Sequence, residues 1–374
     1  MSRYKIKVCT DFPSKVDEAL LRKICAPPRK ARYVFLSQFP RYGFSGAKLL
    51  LTYFSAKPVG LPYLIKIAPY SKAREEHRAI RKMHNWVRDC RLEDDRLFRK
   101  GDMGALLYPH FGTDRHEEVN SPLTLKQVLF CSENEYPVGR LTSCLETVFE
   151  KLSQAHGAYQ WVERDVHELY DRYLRAERAT PCIASILGAD STVARFQLFG
   201  AEIDNPLLFE QALPARILVP EGPTHGDLHP DNVVIDRYSE VHIIDWAWAN
   251  PSGDILIDFV LMENSVRFWH FPRCCNFEEQ LWVDTLLLEE EGFKEIESCD
   301  LICEESTNHY RRLAQIVGAI RTQARRILGT DFDMRRYLFS QFISLYGLIS
   351  FENYNAILSS RYLGMIAKRL EAGT

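Results

Sequence analysis

The sequence predicts an α+β fold of two lobes: a small antiparallel β-sheet with one main helix in the N-terminal lobe, and a mostly α-helical C-terminal lobe. Three observations predict it. Short β-rich runs fill the first 110 residues, amphipathic helical patterns dominate from about residue 121, and one hairpin pattern interrupts the helices near residue 240. A chain of 374 residues suits two lobes, and we expect them to span 1–110 and 111–374.

The N-terminal lobe begins as a series of short strands followed by a helix. Its strand candidates are rich in β-branched and aromatic residues: "RYVFLSQF" (32–39), "AKLLLTYF" (47–54) and "LPYLIKIA" (61–68). The segment 71–87 repeats apolar residues at intervals of three and four, which predicts a helix. "GALLYPHFG" (104–112) predicts a further strand that stops at Pro109.

The C-terminal lobe carries mostly helical patterns. Amphipathic spacing predicts helices over 141–162 and 166–179, and the chain after 254 is again mostly helical. Strand signals in this lobe are limited to "NVVID" (232–236) and "VHIID" (241–245), which "RYSE" connects. We therefore expect a single β-hairpin among the helices.

The composition, with 46% hydrophobic and 26% charged residues, is that of a soluble globular protein. A net charge of −3 argues against general nucleic-acid binding, which usually requires a basic surface. The N-terminus alternates charged and apolar residues and no stretch reaches the ~18 apolar residues of a membrane span, so we expect no signal peptide and no membrane partner. Ten scattered cysteines without a CxxC pair favour reduced thiols in the cytoplasm.

The segment "THGDLHPDN" (224–232) concentrates polar residues directly before the predicted hairpin. Pairing 233 with 244 and 235 with 242 would set Asn232 directly opposite Asp245 at the open end of the hairpin. Asp227 lies five residues upstream of Asn232. One amide and two carboxylates at one place would supply only oxygen ligands, which is the donor set that Mg²⁺ prefers.

Two other interpretations of this segment stay open. A zinc hydrolase would need His225 and His229 together with further ligands, but strand alternation would turn the next histidine, His242, away from the open end. A polar turn without chemistry would leave the spacing of the acids and the amide accidental. A magnesium and phosphate site accounts for that spacing.

The pattern H-x-D-x-x-x-x-N at 225–232, followed by an apolar hairpin and Asp245, resembles the catalytic loop and metal-binding Asp of the protein-kinase-like fold. More narrowly, "HGDLHPDN", "IIDWA" and "GDILIDF" (253–259) resemble the aminoglycoside phosphotransferase and choline kinase branch. The resemblance implies a phosphotransferase that uses ATP and Mg²⁺ and phosphorylates a hydroxyl of a small molecule. We interpret Asp254 and Asp258, in the third block, as acids that brace the loop and helix, and contact with the substrate is the alternative.

The resemblance also implies roles for individual residues. Asp227 would be the catalytic base, and Asn232 and Asp245 would hold the magnesium. His225 would support the loop through packing and hydrogen bonding, and His229 would occupy a position that often faces phosphate.

In the N-terminal lobe, such a phosphotransferase needs a strand lysine for the nucleotide phosphates and a helical glutamate to pair with it. Lys66, in "YLIKIAP", supplies the lysine. Glu75 and Glu76 both follow in the helix, and we prefer Glu76 because it shares a face with the apolar positions. The resemblance covers about residues 33 to 260.

Two further segments of this lobe are expected to contact the nucleotide. "YGFSGAK" (42–48) lies between two strands, and its Gly43, Ser45 and Gly46 would cover the phosphates. "LLYPHFG" would connect the lobes, with the backbone around Tyr108 and His110 meeting the adenine edge.

The acceptor is not readable from the sequence. Many substrates of this branch are cationic, and the acids between 284 and 305, accompanied only by Lys294, would attract a cation or form a solvated helix face. Four tryptophans would form either a cation-binding wall or core: Trp246, Trp248, Trp269 and Trp282. A catalytically silent kinase-like binding module is the alternative function, although the expected catalytic residues are all present.

Overall fold

The computed structural model describes residues 5–8, 18–24, 33–42, 47–54, 63–87, 90, 92–93, 95–110, 123–131, 135–188, 192–236, 240–270, 276–299, 304–352 and 354–372. Within the chain there are two compact units. The first comprises 1–125 and 231–251, and the second comprises 126–230 and 252–374. The segment 231–251 thus groups with the N-terminal residues, whereas the sequence-based division assigns everything after 110 to the C-terminal lobe.

The described strands, in chain order, are β1 (Lys5–Val8), β2 (Tyr33–Tyr42), β3 (Lys48–Tyr53), β4 (Tyr63–Pro69), β5 (Phe98–Lys100), β6 (Met103–His110), β7 (Leu123–Thr124), β8 (Gln160–Asp165), β9 (Arg195–Leu198), β10 (Ala201–Asp204), β11 (Arg216–Thr224), β12 (Val233–Ile235), β13 (Val241–Ile243) and β14 (Asn250–Asp254). The described α-helices are α1 (Glu18–Ile24), α2 (Tyr70–Met83), α3 (Leu125–Leu129), α4 (Val138–His156), α5 (Val166–Leu174), α6 (Ala176–Leu187), α7 (Pro206–Gln211), α8 (Leu256–Ser265), α9 (Phe277–Leu286), α10 (Gly292–Ser298), α11 (Glu304–Leu328), α12 (Met334–Leu348) and α13 (Ala356–Glu371). Short 3₁₀ turns and one π-helical turn (Val266–His270) complete them.

The first unit is built on a six-stranded sheet in the order β1-β2-β3-β4-β6-β5. Its pairs are antiparallel except for β1 and β2, which run parallel. Apolar residues from the sheet and from α1 form its core, and α2 packs against β4 and β6. The predicted fold class is confirmed: a small β-sheet with one main helix and a mostly α-helical remainder.

Strand β6 does not stop at Pro109, as the sequence predicts, but continues to His110. His110 pairs with Tyr63 and Tyr108 pairs with Leu64, so the register shifts between them and Pro109 lies in the irregularity. Proline has no N–H to donate to a strand partner, and a bulge removes the need for one. The strand therefore tolerates the proline.

The second unit contains most of the helices, but it also contains strands that the sequence analysis missed. The helix predicted over 141–162 ends at His156, and β8 begins at Gln160 after Gly157. Strands β14, β11 and β8 form one sheet, and β10 and β9 form a hairpin. Across the ranges that the structure describes, no helix is both long enough and apolar enough to cross a membrane.

Candidate active site

Lys66 lies near the middle of the six-stranded sheet and is almost fully buried. Its strand, β4, runs between β3 and β6, where Lys66 is paired with Leu49 and Leu106. The ammonium Nζ is 2.8 Å from Oε2 of Glu76 and 2.6 Å from Oδ1 of Asp245. A buried lysine is costly without such partners, and here two carboxylates supply them.

The geometry of α2 explains why Glu76 is the partner. The helix begins at Tyr70, directly after β4, so its second turn lies close to the strand that carries Lys66. Glu76 shares the buried face with the apolar residues of the helix, whereas Glu75 is exposed. Those apolar residues are Ala73, Ala79, Ile80 and Met83.

The charges at this cluster are strongly coupled. Burial alone would lower the pKa of Lys66, but the carboxylates of Glu76 and Asp245 outweigh it and raise that pKa above its ordinary value. Burial raises the pKa of Glu76, Lys66 opposes this rise, and Asp245 adds to it. With both carboxylates ionised, one ammonium faces two negative charges. The cluster is thus electrostatically suited to a further cation.

Tyr108 contributes a contact that the sequence analysis missed. Its phenol donates a hydrogen bond to Oε1 of Glu76. Burial, together with the charges of Glu76 and Asp245, holds the pKa of Tyr108 well above its ordinary range, so the phenol stays protonated and donates. The sequence suggested only a backbone role for Tyr108, because strand alternation does not reveal which helical side chain its hydroxyl reaches.

The other nucleotide-contacting candidates are described only in part. Gly43, Ser45 and Gly46 lie outside the described residues. The backbone of His110 belongs to β6, and its side chain is also outside the described part of the structure.

The hairpin of β12 and β13 positions Asn232 and Asp245 in the first unit. Val233 pairs with Ile243 and Ile235 with Val241, so the predicted register is wrong by one residue. Asn232 accepts a hydrogen bond from the N–H of Ile244 at 2.9 Å and lies opposite that residue, not opposite Asp245. The apolar pattern fits both the predicted and the observed register, because both strands are fully apolar apart from His242.

Asp245 follows the hairpin in a left-handed backbone conformation, with φ 66° and ψ 63°. This conformation is unfavourable for a residue with a Cβ, by an amount of order 1–3 kcal/mol, and such strain is frequent at functional sites. The next residue, Trp246, is fully buried and donates its indole N–H to the carbonyl of Ile243, which anchors the turn. Trp246 is therefore a core residue and not part of a cation-binding wall.

The donors in the first unit fit Mg²⁺. Asn232 is fully buried, and the side chain of Asp245 is 23% exposed although one oxygen contacts Lys66. An amide and a carboxylate give oxygen ligands in low number, and Mg²⁺ commonly takes one or two protein ligands and completes its shell with water and phosphate oxygens. These two residues are the ones that would hold the ion.

The zinc interpretation has no support in the described residues. Within them, the histidine, cysteine and acidic side chains close enough to share a metal are Asp236, Glu240 and His242, at the closed end of the hairpin. That group includes neither His225 nor His229, the histidines on which the hydrolase interpretation depends.

In the second unit, the loop at His225–Asp227 is held by its backbone. Asp258, fully buried at the start of α8, accepts hydrogen bonds from the N–H groups of His225 and Gly226, both at 2.8 Å. The ring of His156 adds a contact with Asp258 at 2.9 Å. Tyr173 donates its hydroxyl to the carbonyl of Gly226 at 2.7 Å. Asp258 braces the loop, as predicted.

Asp227 lies at the end of this hydrogen-bonded loop, with its side chain 34% exposed. Gly226, at φ 77°, adopts the left-handed conformation that glycine tolerates, and the N–H of Asp227 donates to Nδ1 of His225 at 3.3 Å. Nε2 of His229 is 3.8 Å from Oδ2 of Asp227, and the His229 ring packs on Trp269 with centroids 5.4 Å apart. A partly exposed carboxylate in a fixed loop can accept a proton from a bound hydroxyl.

Asp254 serves the interior of the second unit. Its Oδ2 accepts hydrogen bonds from Tyr170 (2.7 Å), Arg336 (2.8 Å) and Ser340 (2.7 Å), which belong to α5 and α12. Oδ1 of Asp254 accepts a hydrogen bond from the N–H of Leu256, so both oxygens of the carboxylate are hydrogen-bonded. Asp254 therefore connects helices, in line with the bracing role predicted for it.

The acidic stretch between 284 and 305 is not one solvated face. Asp284 is fully buried and pairs with Arg267 at 2.9 Å and Arg361 at 2.8 Å. Both arginines lie far from it in the sequence, so the local charge pattern gave no sign of the pairing. Two further acids of this stretch, Glu290 and Glu291, pair with Arg325.

A family model, that of ternary complex associated domain 9, matches residues 205–346, which is less than half of the chain. No curated protein sequence matches the chain. Similar solved structures include a choline kinase from Cryptosporidium parvum, with a TM-score of 0.42 and 14% identity over 96% of this chain and 94% of that one. An aminoglycoside phosphotransferase from Alicyclobacillus acidocaldarius has a TM-score of 0.38 and 13% identity over 90% of each chain. A thermostable mutant of another aminoglycoside phosphotransferase has a TM-score of 0.42 and 13% identity over 96% of this chain and 100% of that one.

These are the two enzyme groups that the sequence motifs resemble.

Proposed function

We propose that this protein is an ATP-dependent phosphotransferase that transfers the γ-phosphate to a hydroxyl of a small molecule. The observation that carries the proposal is the buried cluster in which Lys66 pairs with both Glu76 and Asp245. A structural core seldom contains a lysine with two carboxylates. A nucleotide site needs such a lysine, held in place and kept charged, for the phosphates of ATP.

In the first unit, the ammonium of Lys66 would bind phosphate oxygens of the nucleotide while Glu76 holds it in position. Tyr108 would keep Glu76 oriented through its hydroxyl. Asn232 and Asp245 would hold Mg²⁺, which when bound would neutralise negative charge on the phosphates. We also propose that Gly43, Ser45 and Gly46 cover the phosphates and that the backbone near Tyr108 and His110 meets the adenine.

In the second unit, Asp227 would orient the acceptor hydroxyl and take its proton. A carboxylate is a weak base, so the proton would move late, once the new bond to phosphorus is largely formed. His229, beside Asp227, would face the transferred phosphate.

A thermal-shift titration with ATP and Mg²⁺ tests the proposal. A ligand that binds only the folded state raises the melting temperature, so the nucleotide with Mg²⁺ should stabilise the wild type. Lys66→Met should reduce that shift, while Lys100→Met, which removes an exposed strand lysine of the same sheet, should keep it. The absence of any shift in the wild type would overturn the proposal. A shift without phosphate transfer to any hydroxyl compound would instead favour a catalytically silent binding module.

A further inference from the structure

The closed end of the hairpin of β12 and β13 brings three metal-ligating side chains together in the first unit. Asp236 directly follows β12, Glu240 directly precedes β13, and His242 lies within β13. One donor atom from each side chain lies within 4.8 Å of the donor atoms of the other two. None of the roles described above for nucleotide binding or phosphate transfer uses these residues.

The backbone of the hairpin explains why the three side chains meet. The N–H of Asp236 donates to the carbonyl of Glu240 at 3.0 Å, so the two acids lie opposite each other where the hairpin closes. Opposite residues of an antiparallel pair share a face of the sheet, and so do residues two apart on one strand. Glu240 and His242 are two apart, and the three side chains therefore lie on one face.

A side-chain hydrogen bond sets the orientation of the Asp236 carboxylate. Its Oδ1 accepts the N–H of Glu240 at 2.8 Å. The other oxygen, Oδ2, lies 3.6 Å from Nε2 of His242, and both of these atoms are enclosed by protein. The carboxylate thus uses one oxygen to close the hairpin and presents the other to the imidazole.

The distances between the donor atoms suit a shared ion. Zn²⁺ binds imidazole nitrogen and carboxylate oxygen at about 2.0–2.2 Å, so two such ligands in a tetrahedral site are roughly 3.3–3.6 Å apart. The 3.6 Å between Asp236 and His242 matches this spacing and is longer than an ordinary hydrogen bond. Glu240 is exposed, and rotation of its side chain can bring its carboxylate from within 4.8 Å to the same spacing.

Burial and donor type distinguish this group from an acidic surface patch. The side chain of Asp236 is 4% exposed and that of His242 is 20% exposed, whereas Glu240 lies at the surface and leaves the group open to solvent. An imidazole together with carboxylates suits a first-row transition ion such as Zn²⁺, while Mg²⁺ and Ca²⁺ prefer oxygen ligands alone.

Another histidine–aspartate contact in the same unit offers a comparison. Nε2 of His77 is 3.5 Å from Oδ1 of Asp95, and Oδ2 of Asp95 is 3.6 Å from Nε of Arg81. The Asp95 side chain is 66% exposed, and an arginine lies where Asp236 has a glutamate. Within the described part of the chain, this pair belongs to no group of three metal-ligating side chains.

We propose that Asp236, Glu240 and His242 bind a Zn²⁺ ion, with Oδ2, a carboxylate oxygen and Nε2 as the protein ligands and water in the fourth position. The ion joins the two strands at the closed end of the hairpin, and so stabilises the element whose open end carries Asn232 and Asp245. The site is structural and takes no part in phosphate transfer.

Calorimetric titration of the metal-free protein with ZnCl₂, in excess Mg²⁺, tests the site. Mg²⁺ occupies oxygen-only sites but competes poorly for imidazole. His242→Gln should raise the Kd for Zn²⁺ at least about tenfold, because loss of a residue that merely orients a ligand already costs about 10–100-fold. Asp236→Asn, which keeps an oxygen for the N–H of Glu240, and Glu240→Gln, at an exposed residue, should change the Kd in the same direction. His77→Gln is the matched control and should bind Zn²⁺ like the wild type.

Substitution with Co²⁺ identifies the ligands, because the ten cysteines of the chain are also capable of binding zinc. Co²⁺ held by nitrogen and oxygen absorbs in the visible range, and thiolate ligands add a charge-transfer band in the near ultraviolet. The wild type should show the visible absorption without the thiolate band, and His242→Gln should weaken it. A thiolate band of equal strength in both proteins would assign the metal to cysteines and overturn the site.

The outcomes separate the zinc site from the proposed nucleotide site. All three ligand variants should show the circular dichroism of the wild type and keep the thermal shift with ATP and Mg²⁺, because they leave Lys66 and Asp245 unchanged. A wild type that does not bind Zn²⁺, or an equal Kd in wild type and His242→Gln, would overturn the zinc site and leave the nucleotide site standing. Zinc binding that depends on His242, in a protein without any shift with ATP and Mg²⁺, would support the zinc site and remove only the proposed function.

Discussion

At Lys66, burial and ion pairing act in opposite directions on one ammonium group. Burial disfavours its charge, and the two carboxylates restore and exceed what burial removes. At Arg175 burial lowers the pKa and the neighbouring charge of Arg178 adds to it, and the carboxylates of Asp227 and Glu177 do not outweigh the two. Each residue's charge state therefore follows from its own neighbours and not from the net charge of the chain.

A substitution of Asp227 tests its proposed role as the catalytic base. Asp227→Ala should leave the thermal shift with ATP and Mg²⁺ intact, because Lys66 and Asp245 are unchanged. Phosphoryl transfer should slow by roughly 10²–10⁴-fold, the usual contribution of a positioned general base. Single-turnover kinetics with labelled ATP measures this directly. Glu221→Gln, at a half-buried acid of β11 paired with Arg164, is the control. Turnover near the wild-type rate would remove Asp227 from the role of base.

At the scale of elements, close approach of two helices positions the loop that carries Asp227. A Cβ on Gly347, in α12, would lie 1.6 Å from the carbonyl oxygen of Tyr173, in α5. Tyr173 in turn donates its hydroxyl to Gly226. The absence of one side chain on α12 therefore allows α5 to hold the loop.

Gly347→Ala should destabilise the protein by about 1–3 kcal/mol or more, the usual cost of overpacking, because the backbone of α5 or of α12 must shift to make room for the Cβ. Activity should fall more than stability alone explains, since Tyr173 would move. Gly139→Ala, in α4, is the matched control: a Cβ there meets nothing within 4 Å, and alanine should stabilise the helix by up to about 1 kcal/mol. Urea unfolding of both variants measures the difference. Equal stability of the two would contradict the close approach of α5 and α12.

Elements also show what the sequence could and could not predict. The strand and helix that carry Lys66 and Glu76 follow from local periodicity, and their pairing follows from the short connection between them. The hairpin was predicted, but its register was wrong by one because uniformly apolar strands do not distinguish adjacent registers. Local periodicity predicts the first residues of strand β8 as the end of a helix, because the strand pairs with β11, more than fifty positions later in the sequence.

At the scale of the whole molecule, the net charge of −3 conceals local fields of both signs. The acids between 284 and 305 suggest a surface that attracts cations or a solvated helix face, yet the first of them, Asp284, is buried and paired with Arg267 and Arg361. Charge patterns that depend on contacts between distant segments cannot be read from local composition.

The buried charges also determine how stability depends on pH. Glu263, fully buried in α8, accepts hydrogen bonds from Arg321 at 2.8 and 3.0 Å, Arg267 at 3.2 Å, and Tyr337 and Gln341 at 2.8 Å each. Burial acts to raise the pKa of Glu263, but the arginines outweigh it and lower the pKa from 4.5 to about 2. The carboxylate therefore joins α8, α11 and α12 as long as it is ionised.

Glu263→Gln should cost about 3–5 kcal/mol at pH 7, because it leaves buried arginines without their counter-charge. Since the folded-state pKa lies below the ordinary 4.5, the contribution of Glu263 is complete above pH 4.5 and is lost as the pH falls toward 2. The stability difference between wild type and variant, from urea unfolding between pH 7 and 3, should accordingly shrink below pH 4.5. Glu150→Gln, at an exposed acid paired with Arg326, should cost about 0–1 kcal/mol. If the difference in the free energy of unfolding between wild type and Glu263→Gln stays constant down to pH 3, the substitution removes packing and not charge.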